Sequence, residues 1–215
     1  MNSISAQVVL NSNLEPIGTK VRNRRRELGL TLQEIADGAN LSVGFISQLE
    51  RDLTSPSLSS LAAIARVLEA EIADFLVVPG GDSSLTRSNK REPYTLNEGS
   101  LIYERLTSKF PGHILSGVIM KEEPGHRSPP MRHEGEEFFF VLEGSITCEI
   151  GGDRTVLGPG DSIHFNSNEL HSTWNHTLET ASILVICTMD IFGDTDHNKF
   201  EPNNGSKGET RRDES

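Results

Sequence analysis

The sequence predicts an α+β multidomain protein in which a five-helix domain is followed by an all-β barrel. Over residues 14–78, apolar residues recur every three or four positions, which is the spacing of amphipathic helices. Over residues 93–192, apolar and polar residues alternate and turn-forming residues recur about every 8–12 positions, as in a β-sandwich or barrel. The predicted linker between the two domains is the Gly/Ser-rich, charged segment at 79–92, PGGDSSLTRSNKRE.

The composition is typical of a soluble globular protein, with 35% hydrophobic and 24% charged residues among 215. No apolar run approaches the roughly 20 residues of a membrane-spanning helix, and no secretion signal is recognisable at the N-terminus. Cys148 and Cys187 are isolated, so they indicate neither a disulfide framework nor a CxxC metal pair. We therefore expect a cytoplasmic protein without membrane contact. The polar segments at 1–13 and 193–215 are predicted to be a flexible arm and a disordered tail.

Two short helices joined by a tight turn are predicted in residues 31–50, TLQEIADGANLSVGFISQLE. Thr31 is suited to cap the first of them, and Glu34, three residues further on, completes a capping box. Ser42 is suited to cap the second helix, whose inner face is apolar. A helix pair of this shape is able to lay its second helix in the major groove of DNA.

The charge of the chain indicates local rather than general attraction for DNA. The formal net charge is −11, whereas phosphate contacts need a positive surface. Residues 14–78 hold seven Lys or Arg and nine Asp or Glu, a net charge of −2. Within this range, positive side chains are concentrated in the first predicted helix, at Lys20, Arg22, Arg24, Arg25 and Arg26. DNA affinity would then depend on where these charges lie, and it would fall steeply with salt.

Two segments of the helical domain resemble a known family. LGLTLQEIA and LSVGFISQLERDLTSPSLSSLAAIARVL are similar to the lambda-repressor-like (Cro/repressor, XRE-type) helix-turn-helix family, and the likeness covers residues 17–76. The resemblance implies a five-helix DNA-binding domain. It also implies that the second helix of the pair, the recognition helix, presents its first residues to the edges of base pairs.

Candidate DNA-binding residues follow from this resemblance. Those predicted to face base pairs are Val43, Gly44, Ser47 and Gln48, of which Gln48 is able to pair two ways with adenine. Phosphate contacts are predicted at helix starts, in the loop after the recognition helix and on the outside of the first helix, at Gln33, Ser42, Thr54, Ser55, Arg22 and Arg26. Ordinary solvation is an equal alternative for the two arginines. A glycine merely tolerated near the helix start is an equal alternative for Gly44.

Arg25 needs a different interpretation from its neighbours. It lies on the apolar face of the first predicted helix, where steps of three and four residues also place Ile17 and Val21. A buried guanidinium requires a partner of opposite charge. We expect that partner to be Glu50, at the end of the recognition helix, so the pair is predicted to be structural.

The second half of the chain resembles a cupin barrel. The first cupin motif, G-x5-H-x-H-x3-E-x6-G, is matched by Gly125, His133, Glu137 and Gly144, with Met131 in place of the first His. The second motif, G-x5-P-x-G-x2-H-x3-N, is matched by Gly160, His171 and Asn175, with Asn166 and Asn168 in place of Pro and Gly. Together the two resemblances imply a transcriptional regulator that senses a small metabolite through a C-terminal cupin domain.

Strand alternation places Met131, His133, Glu137 and Phe139 on the inner face of the barrel, and the resemblance adds His171 through the second cupin motif, so these five residues are predicted to line a ligand pocket. Two imidazoles and one carboxylate suit a divalent ion such as Fe, Zn, Ni or Mn, which would be held by His133, Glu137 and His171. A metal-free pocket, in which the same three side chains bind an organic ligand directly, is an equal alternative. The remaining histidines of this region are expected at the surface or in loops, namely His126, His164 and His176.

The leading functional hypothesis is a transcriptional regulator, and specifically a repressor, whose effector is a small metabolite. One recognition helix reads only a few base pairs, so we expect a homodimer on a palindromic operator in double-stranded DNA. The alternative is a non-haem metal-dependent cupin enzyme. It rests on a resemblance to hydroxypropylphosphonate epoxidase, in which His133, Glu137 and His171 would hold iron. Helix caps, an outward Gln48 and the arginine cluster favour the regulator, because a purely structural helical domain requires none of them.

Overall fold

The computed structural model describes residues 15–76, 78–96 and 101–194. Residues 15–76 form a helical domain, and the other two ranges form a β domain. The predicted fold class is confirmed, although the strands form two separate sheets and not one closed ladder. The predicted arm at 1–13 and most of the predicted tail lie outside the described residues. Within those residues, no helix has the length and apolar character needed to cross a bilayer.

Five helices form the helical domain, and polar caps define where most of them begin. Thr31 accepts a hydrogen bond from the Glu34 N–H at 3.2 Å while the Glu34 carboxylate accepts from the Thr31 N–H at 2.7 Å, so the predicted capping box is confirmed. Ser42 and Ser57 cap the third and fourth helices in the same way. The helices are α1 (Ile17–Glu27), α2 (Leu32–Ala39), α3 (Val43–Leu49), α4 (Leu58–Val67) and α5 (Ile72–Phe75).

The core of the helical domain holds α1 very close to the end of α3. A Cβ atom added to Gly18 would lie only 1.9 Å from the carbonyl oxygen of Leu49, so a larger residue would push the two helices apart. The Gly18 N–H donates to Asp52 Oδ1 at 3.0 Å, just beyond α3. This close approach fixes the position of α3, whose inward side chains Ile46 and Leu49 are fully buried.

An ion pair makes a second connection between α1 and α3. Arg25 donates from Nε to Glu50 Oε1 at 2.5 Å and from Nη2 to Glu50 Oε2 at 2.9 Å. Its Nη1 donates to the carbonyl oxygen of Leu30 at 2.9 Å. Both charged side chains are largely buried, with 15% and 6% of their surfaces exposed. The hydrogen bond to Glu50 raises the pKa of Arg25, so the guanidinium is charged throughout the physiological range.

Two other basic residues of α1 are used inside the domain. Lys20 Nζ donates to the carbonyl oxygens of Asp74 and Phe75, both at 3.2 Å, at the end of α5. Arg24 Nε donates to the carbonyl oxygen of Leu68 at 3.1 Å, at the end of α4. Cations at helix C-termini satisfy free carbonyl groups and oppose the negative end of the helix dipole. The positive charge predicted on α1 is therefore only partly available to a partner.

Eight antiparallel strands build the β domain. They are β1 (Leu101–Arg105), β2 (Ser116–Glu122), β3 (Glu136–Glu143), β4 (Ile146–Ile150), β5 (Asp153–Leu157), β6 (Ser162–Asn166), β7 (His171–Trp174) and β8 (Ala181–Cys187). One sheet has the order β1-β2-β8-β3-β6 and the other has the order β5-β4-β7. The linker contributes a 3-10 turn, Ser88–Lys90. Residues 193–194, placed in the tail by the prediction, are joined to the domain by an ion pair between Asp194 and Arg105.

The inward faces of the two sheets meet where the predicted pocket lies. Along β3, Glu137, Phe139 and Val141 are buried while the residues between them are partly exposed, which confirms the predicted alternation. His171, on β7 of the smaller sheet, lies 3.5 Å from Glu137 of the larger sheet, measured from Nε2 to Oε2. A backbone bridge between Met131 and His171 extends the smaller sheet toward the same point.

We predict that Arg25→Ala destabilises the helical domain by about 3–5 kcal/mol, because it leaves the buried Glu50 carboxylate without its partner. Urea unfolding followed by helical circular dichroism measures the effect. Arg22→Ala is the matched control, since Arg22 is exposed on the same helix and its loss should cost little. Equal stability of the two variants would show that the ion pair is not structural.

Candidate functional site

The recognition helix α3 is short and firmly seated. Ser42 Oγ accepts a hydrogen bond from the Phe45 N–H at 3.1 Å, which caps the helix start. At the other end, Glu50 is held by Arg25 as described above. Because Ile46 and Leu49 are buried in the core, the opposite face of the helix is directed away from the domain.

Two of the four predicted base-facing residues are exposed. Gly44 and Gln48 lie at the surface, whereas Val43 and Ser47 are half-buried. Val43 packs partly against the core, because it lies one helical turn before the buried Ile46. The expectation that all four residues point outward is therefore too broad, and Val43 and Ser47 border the exposed face.

Gly44 has no packing role within the described residues. A Cβ atom added to it would find only Ser42 Oγ nearby, at 3.9 Å, so the glycine is not needed to admit a neighbouring element. Its backbone is also helical, so no left-handed conformation requires it. This removes the structural explanations for a residue that lowers helix stability. Two explanations for the glycine remain: it is merely tolerated near the helix start, or it lets a partner approach the backbone of α3 closely.

The predicted phosphate-binding residues surround this face unevenly. Arg22 and Arg26 are exposed on α1, and Gln33 is exposed at the start of α2, where its Nε2 donates to Asp37 Oδ1 at 2.8 Å. Thr54 and Ser55 are half-buried in the loop after α3. Ser42 is exposed, but its hydroxyl is engaged in the helix cap.

Three polar side chains predicted to form a pocket meet in the β domain. His133 Nε2 lies 3.3 Å from Glu137 Oε1, and His171 Nε2 lies 3.5 Å from Glu137 Oε2. All three residues are buried, and one ligand atom from each lies within 4.8 Å of the others. Atoms that share an ion at about 2.1 Å lie roughly 3–4 Å apart, so only a small contraction separates this arrangement from a metal site. The donor set fits the predicted divalent ion.

Hydrogen bonds orient both histidines toward the carboxylate. His133 Nδ1 lies 3.0 Å from the carbonyl oxygen of Glu134, and His171 Nδ1 lies 2.8 Å from that of Glu169. A carbonyl only accepts, so both Nδ1 atoms carry the proton and both Nε2 atoms present lone pairs, a tautomer assigned from the network. Two lone pairs then face a carboxylate. That arrangement needs a cation between them, either a proton or a metal ion.

The two histidines differ in their affinity for a proton. Burial lowers the pKa of His133, but hydrogen bonding and the negative charge of Glu137 outweigh burial, and the pKa is raised. Burial also lowers the pKa of His171, and here it outweighs the attraction of Glu137, so the pKa is lowered. His171 is thus the histidine that is neutral and ready to donate a lone pair to an ion near neutral pH.

The site lies where two spaces meet. A small inner cavity of about 60 Å³ is lined by Met131, Glu137, Phe139 and His171, together with His126 and the first residues of α4, Ser57 and Ser59. An open cleft of about 960 Å³, between α4–α5 and the β domain, reaches His133 instead. His126 lies in a loop, as expected, and is half-buried. It lines the cavity, and burial lowers its pKa.

Two features of this region are not predicted by the sequence. Ser57, Ser59 and Ser60 of the helical domain close the cavity, although the sequence marks them only as a helix cap and its surroundings. Glu122 is fully buried on β2, and within the described residues neither carboxylate oxygen has a hydrogen bond. Burial raises the pKa of Glu122 to about 8, against partial opposition from the nearby backbone N–H of Asn175. In the sequence Glu122 is followed directly by Glu123, Pro124 and Gly125, a polar and turn-forming run that gave no signal of burial.

Two families match the chain in succession. The family described as Helix-turn-helix matches residues 21–75, and the family described as Cupin domain matches residues 118–187. A capped, exposed α3 and a buried His/Glu site lie in the respective matched regions. The chain belongs to the helix-turn-helix (XRE-type) family of transcriptional regulators that carry a C-terminal cupin domain.

Individual relatives agree with this family. The HTH-type transcriptional regulator PuuR of Escherichia coli (strain K12) is 25% identical over 177 residues, covering 81% of this chain and 96% of PuuR. The immunity repressor protein of Bacillus phage phi105 is 30% identical over 113 residues, covering 50% of this chain and 75% of that protein.

One solved structure shows the same fold over both domains. The crystal structure of an HTH_3 family transcriptional regulator from Vibrio cholerae aligns with a TM-score of 0.52 and 23% identity, covering 80% of this chain and 94% of that one. Hydroxypropylphosphonic acid epoxidase from S. wedmorenis aligns with a TM-score of 0.41 and 18% identity, covering 79% and 95%. The second likeness is too low to support an argument about activity.

Glu122 predicts a pH dependence of stability. Its folded pKa of about 8 exceeds the ordinary 4.5, so between these values the folded chain holds a proton that the unfolded chain has lost. Stability should therefore fall as pH rises through this window, by up to about 1.4 kcal/mol per pH unit, and level off above it. Glu122→Gln should remove this part of the fall in urea-unfolding measurements. Glu143→Gln, at an exposed position on β3, should keep it. The same slope in both variants would contradict the assignment.

Proposed function

We propose that this regulator is a sequence-specific DNA-binding repressor whose activity is controlled by a small metabolite bound at His133, Glu137 and His171. The observation that carries the proposal is the exposed Gly44–Gln48 face of a capped, firmly seated α3. This face has no partner within the described residues, whereas its apolar side is fully used in the core. A seated helix with an open polar face suits insertion into the major groove.

Base recognition would rest mainly on Gln48. A side-chain amide able to make two hydrogen bonds to adenine discriminates against other bases by about 1–3 kcal/mol. Gly44, without a side chain, would let the backbone of α3 approach the groove closely. Val43, at the border of the exposed face, is placed to contact a thymine methyl group with the part of its side chain that is not packed.

Phosphate contacts would position the helix without reading the sequence. Arg22 and Arg26 are the charged candidates, because the other basic residues near them in α1 are engaged within the domain. Gln33, Thr54 and Ser55 are neutral candidates beside α3. With a net charge of −11 on the whole chain, approach to DNA would depend on these few sites, so the affinity would be strongly sensitive to salt.

A homodimer on a palindromic operator completes the proposal. The recognition helix has only seven residues, so it spans roughly 10 Å and touches only a few base pairs. Two copies related by a two-fold axis would double the sequence that is read, and operator symmetry would mirror protein symmetry. The spacing of the two helical domains would then determine whether both half-sites are contacted together.

The β-domain site would hold the effector in one of two ways. A divalent ion bound by His133, Glu137 and His171 would keep open coordination positions that an effector oxygen or nitrogen is able to occupy. Without an ion, the same three groups would bind a polar effector directly. The epoxidase-like enzyme requires the same three residues, but it gives no role to the exposed face of α3. We therefore place regulation first.

Gln48→Ala should weaken binding to the chain's upstream intergenic DNA by about 5- to 150-fold, corresponding to about 1–3 kcal/mol. Gly44→Ala should also weaken it, while adding up to about 1 kcal/mol of helix stability. Gel shifts at several salt concentrations provide the measurement. Asn168→Ala, an exposed amide truncation in the β domain, is the control and should bind normally. Absence of salt-sensitive, sequence-specific binding by the unmodified chain would end the proposal.

The metal form of the site makes a separate prediction. Purified chain equilibrated with Zn²⁺ and then dialysed should retain one ion per chain in native mass spectrometry, and His171→Ala should lose it because one of three ligands is missing. His164→Ala is the control, since His164 is exposed and paired with Glu136 at 2.9 Å. Retention of zinc by His171→Ala would exclude this site. If the unmodified chain retains no zinc, the metal form is ruled out and the three side chains would bind the effector directly.

A further inference from the structure

The inner cavity is bordered on one side by the helical domain. Ser60 Oγ, on α4, donates to the Met131 sulfur of the β domain at 3.6 Å, and Ser57 Oγ lies 4.0 Å from the same atom. Ser60 has no exposed surface, and Leu58 has 3%. Ser57 and Ser59 form part of the cavity lining. The first turn of α4 is therefore one wall of the site that contains Glu137 and His171.

The enclosed space is too small for a metabolite. A volume of about 60 Å³ has room for only a few water molecules. Pockets that bind small organic ligands measure about 300–1,000 Å³. With α4 in place, the cavity holds an ion with little else. An effector that contacts the site from within needs one wall to move.

The outer cleft does not remove this requirement. Of the three polar residues, His133 lines the cleft, whereas Glu137 and His171 line the inner cavity. A ligand that reaches all three must therefore extend inward from the cleft. The cleft lies along α4, so an entering molecule meets this helix on its way.

The α4 wall differs from the other walls in the kind of contact that holds it. The other walls are strands held by continuous backbone ladders, such as β3 between β6 and β8. By contrast, the α4 wall has no backbone ladder to the β domain within the described residues: two of its hydroxyl groups lie against a thioether sulfur, which is a weak acceptor, and the buried Leu58 lies near the Tyr103 hydroxyl. Met131 thus contacts the helical domain from the position where the cupin motif has a histidine.

We propose that the effector and the first turn of α4 compete for the same side of the cavity, so that filling the cavity releases the helical domain from the β domain. This proposal rests on the function proposed above, because the effector is the small metabolite of that function. A ligand shifts an equilibrium only if it binds two arrangements of the protein with different affinity. Here the arrangement with α4 docked leaves little room for the effector, whereas the arrangement with α4 released leaves more. Because α2 packs against both α3 and α4, the recognition helix moves with α4.

The test measures the distance between the domains in the full chain. Spin labels are placed at Glu27→Cys and Leu178→Cys, both exposed positions, while Cys148 and Cys187 are buried. Met131→Trp stands in for an occupied cavity, because the Met131 sulfur already contacts α4 and a longer, rigid side chain must enter its first turn. Met131→Leu is the matched control. We expect one narrow distance peak for the parent chain and for Met131→Leu, and loss of that peak for Met131→Trp.

A second variant tests the same contact from the helix side. Ser60→Arg should also abolish the narrow peak, and it leaves the interior of the β domain unchanged. Circular dichroism checks that each variant is folded. If Met131→Trp is unfolded, the result for Ser60→Arg alone decides the test. Folded variants that keep the parent distance would overturn the proposal. The measurement requires neither DNA nor effector, so its failure is distinct from a failure to bind an operator.

Discussion

The bidentate contact between Arg25 and Glu50 is the interaction on which the DNA-binding face depends most. It joins the middle of α1 to the end of α3, beside the point where Gly18 lets the two helices approach closely. A helix of seven residues is marginal by itself, so its geometry has to come from tertiary contacts. The buried charge pair supplies a directional contact that apolar packing alone lacks. The outward position of Gln48 follows from this anchoring on the opposite side of the helix.

The β domain uses the same principle of opposed charge at its centre. Its two sheets meet at a carboxylate flanked by two imidazoles whose remaining nitrogens are oriented by backbone carbonyls. Strand ladders border this site on one side, and on the other side Ser57 and Ser60 of the helical domain contact Met131. The chain therefore places its most polar interior site against its DNA-binding domain. The helix that borders this site, α4, packs against α2, and α2 packs in turn against the recognition helix α3.

Much of this organisation is readable from the sequence, and the limits have physical causes. Thr31, Ser42 and Ser57 cap helices through contacts only three residues away, so a local pattern is enough to place them. Strand alternation likewise placed Glu137 and Phe139 inside the β domain. Periodicity shows which face is buried but not what covers it, so the contact of Ser60 with Met131 and the cavity position of His126 were not predicted. Val43 shows the same limit. It lies at the border between the buried and the exposed face of α3, and periodicity does not assign such a residue to either face.

Footprinting of the full-length chain on its upstream DNA tests the central claim most directly, since it reports recognition, symmetry and spacing together. The account predicts two protected half-sites related by a two-fold axis, with centres about 10–10.5 base pairs apart or a multiple of that distance. Protection that ignores DNA sequence, or no protection at low salt, would contradict the claim that α3 reads base pairs.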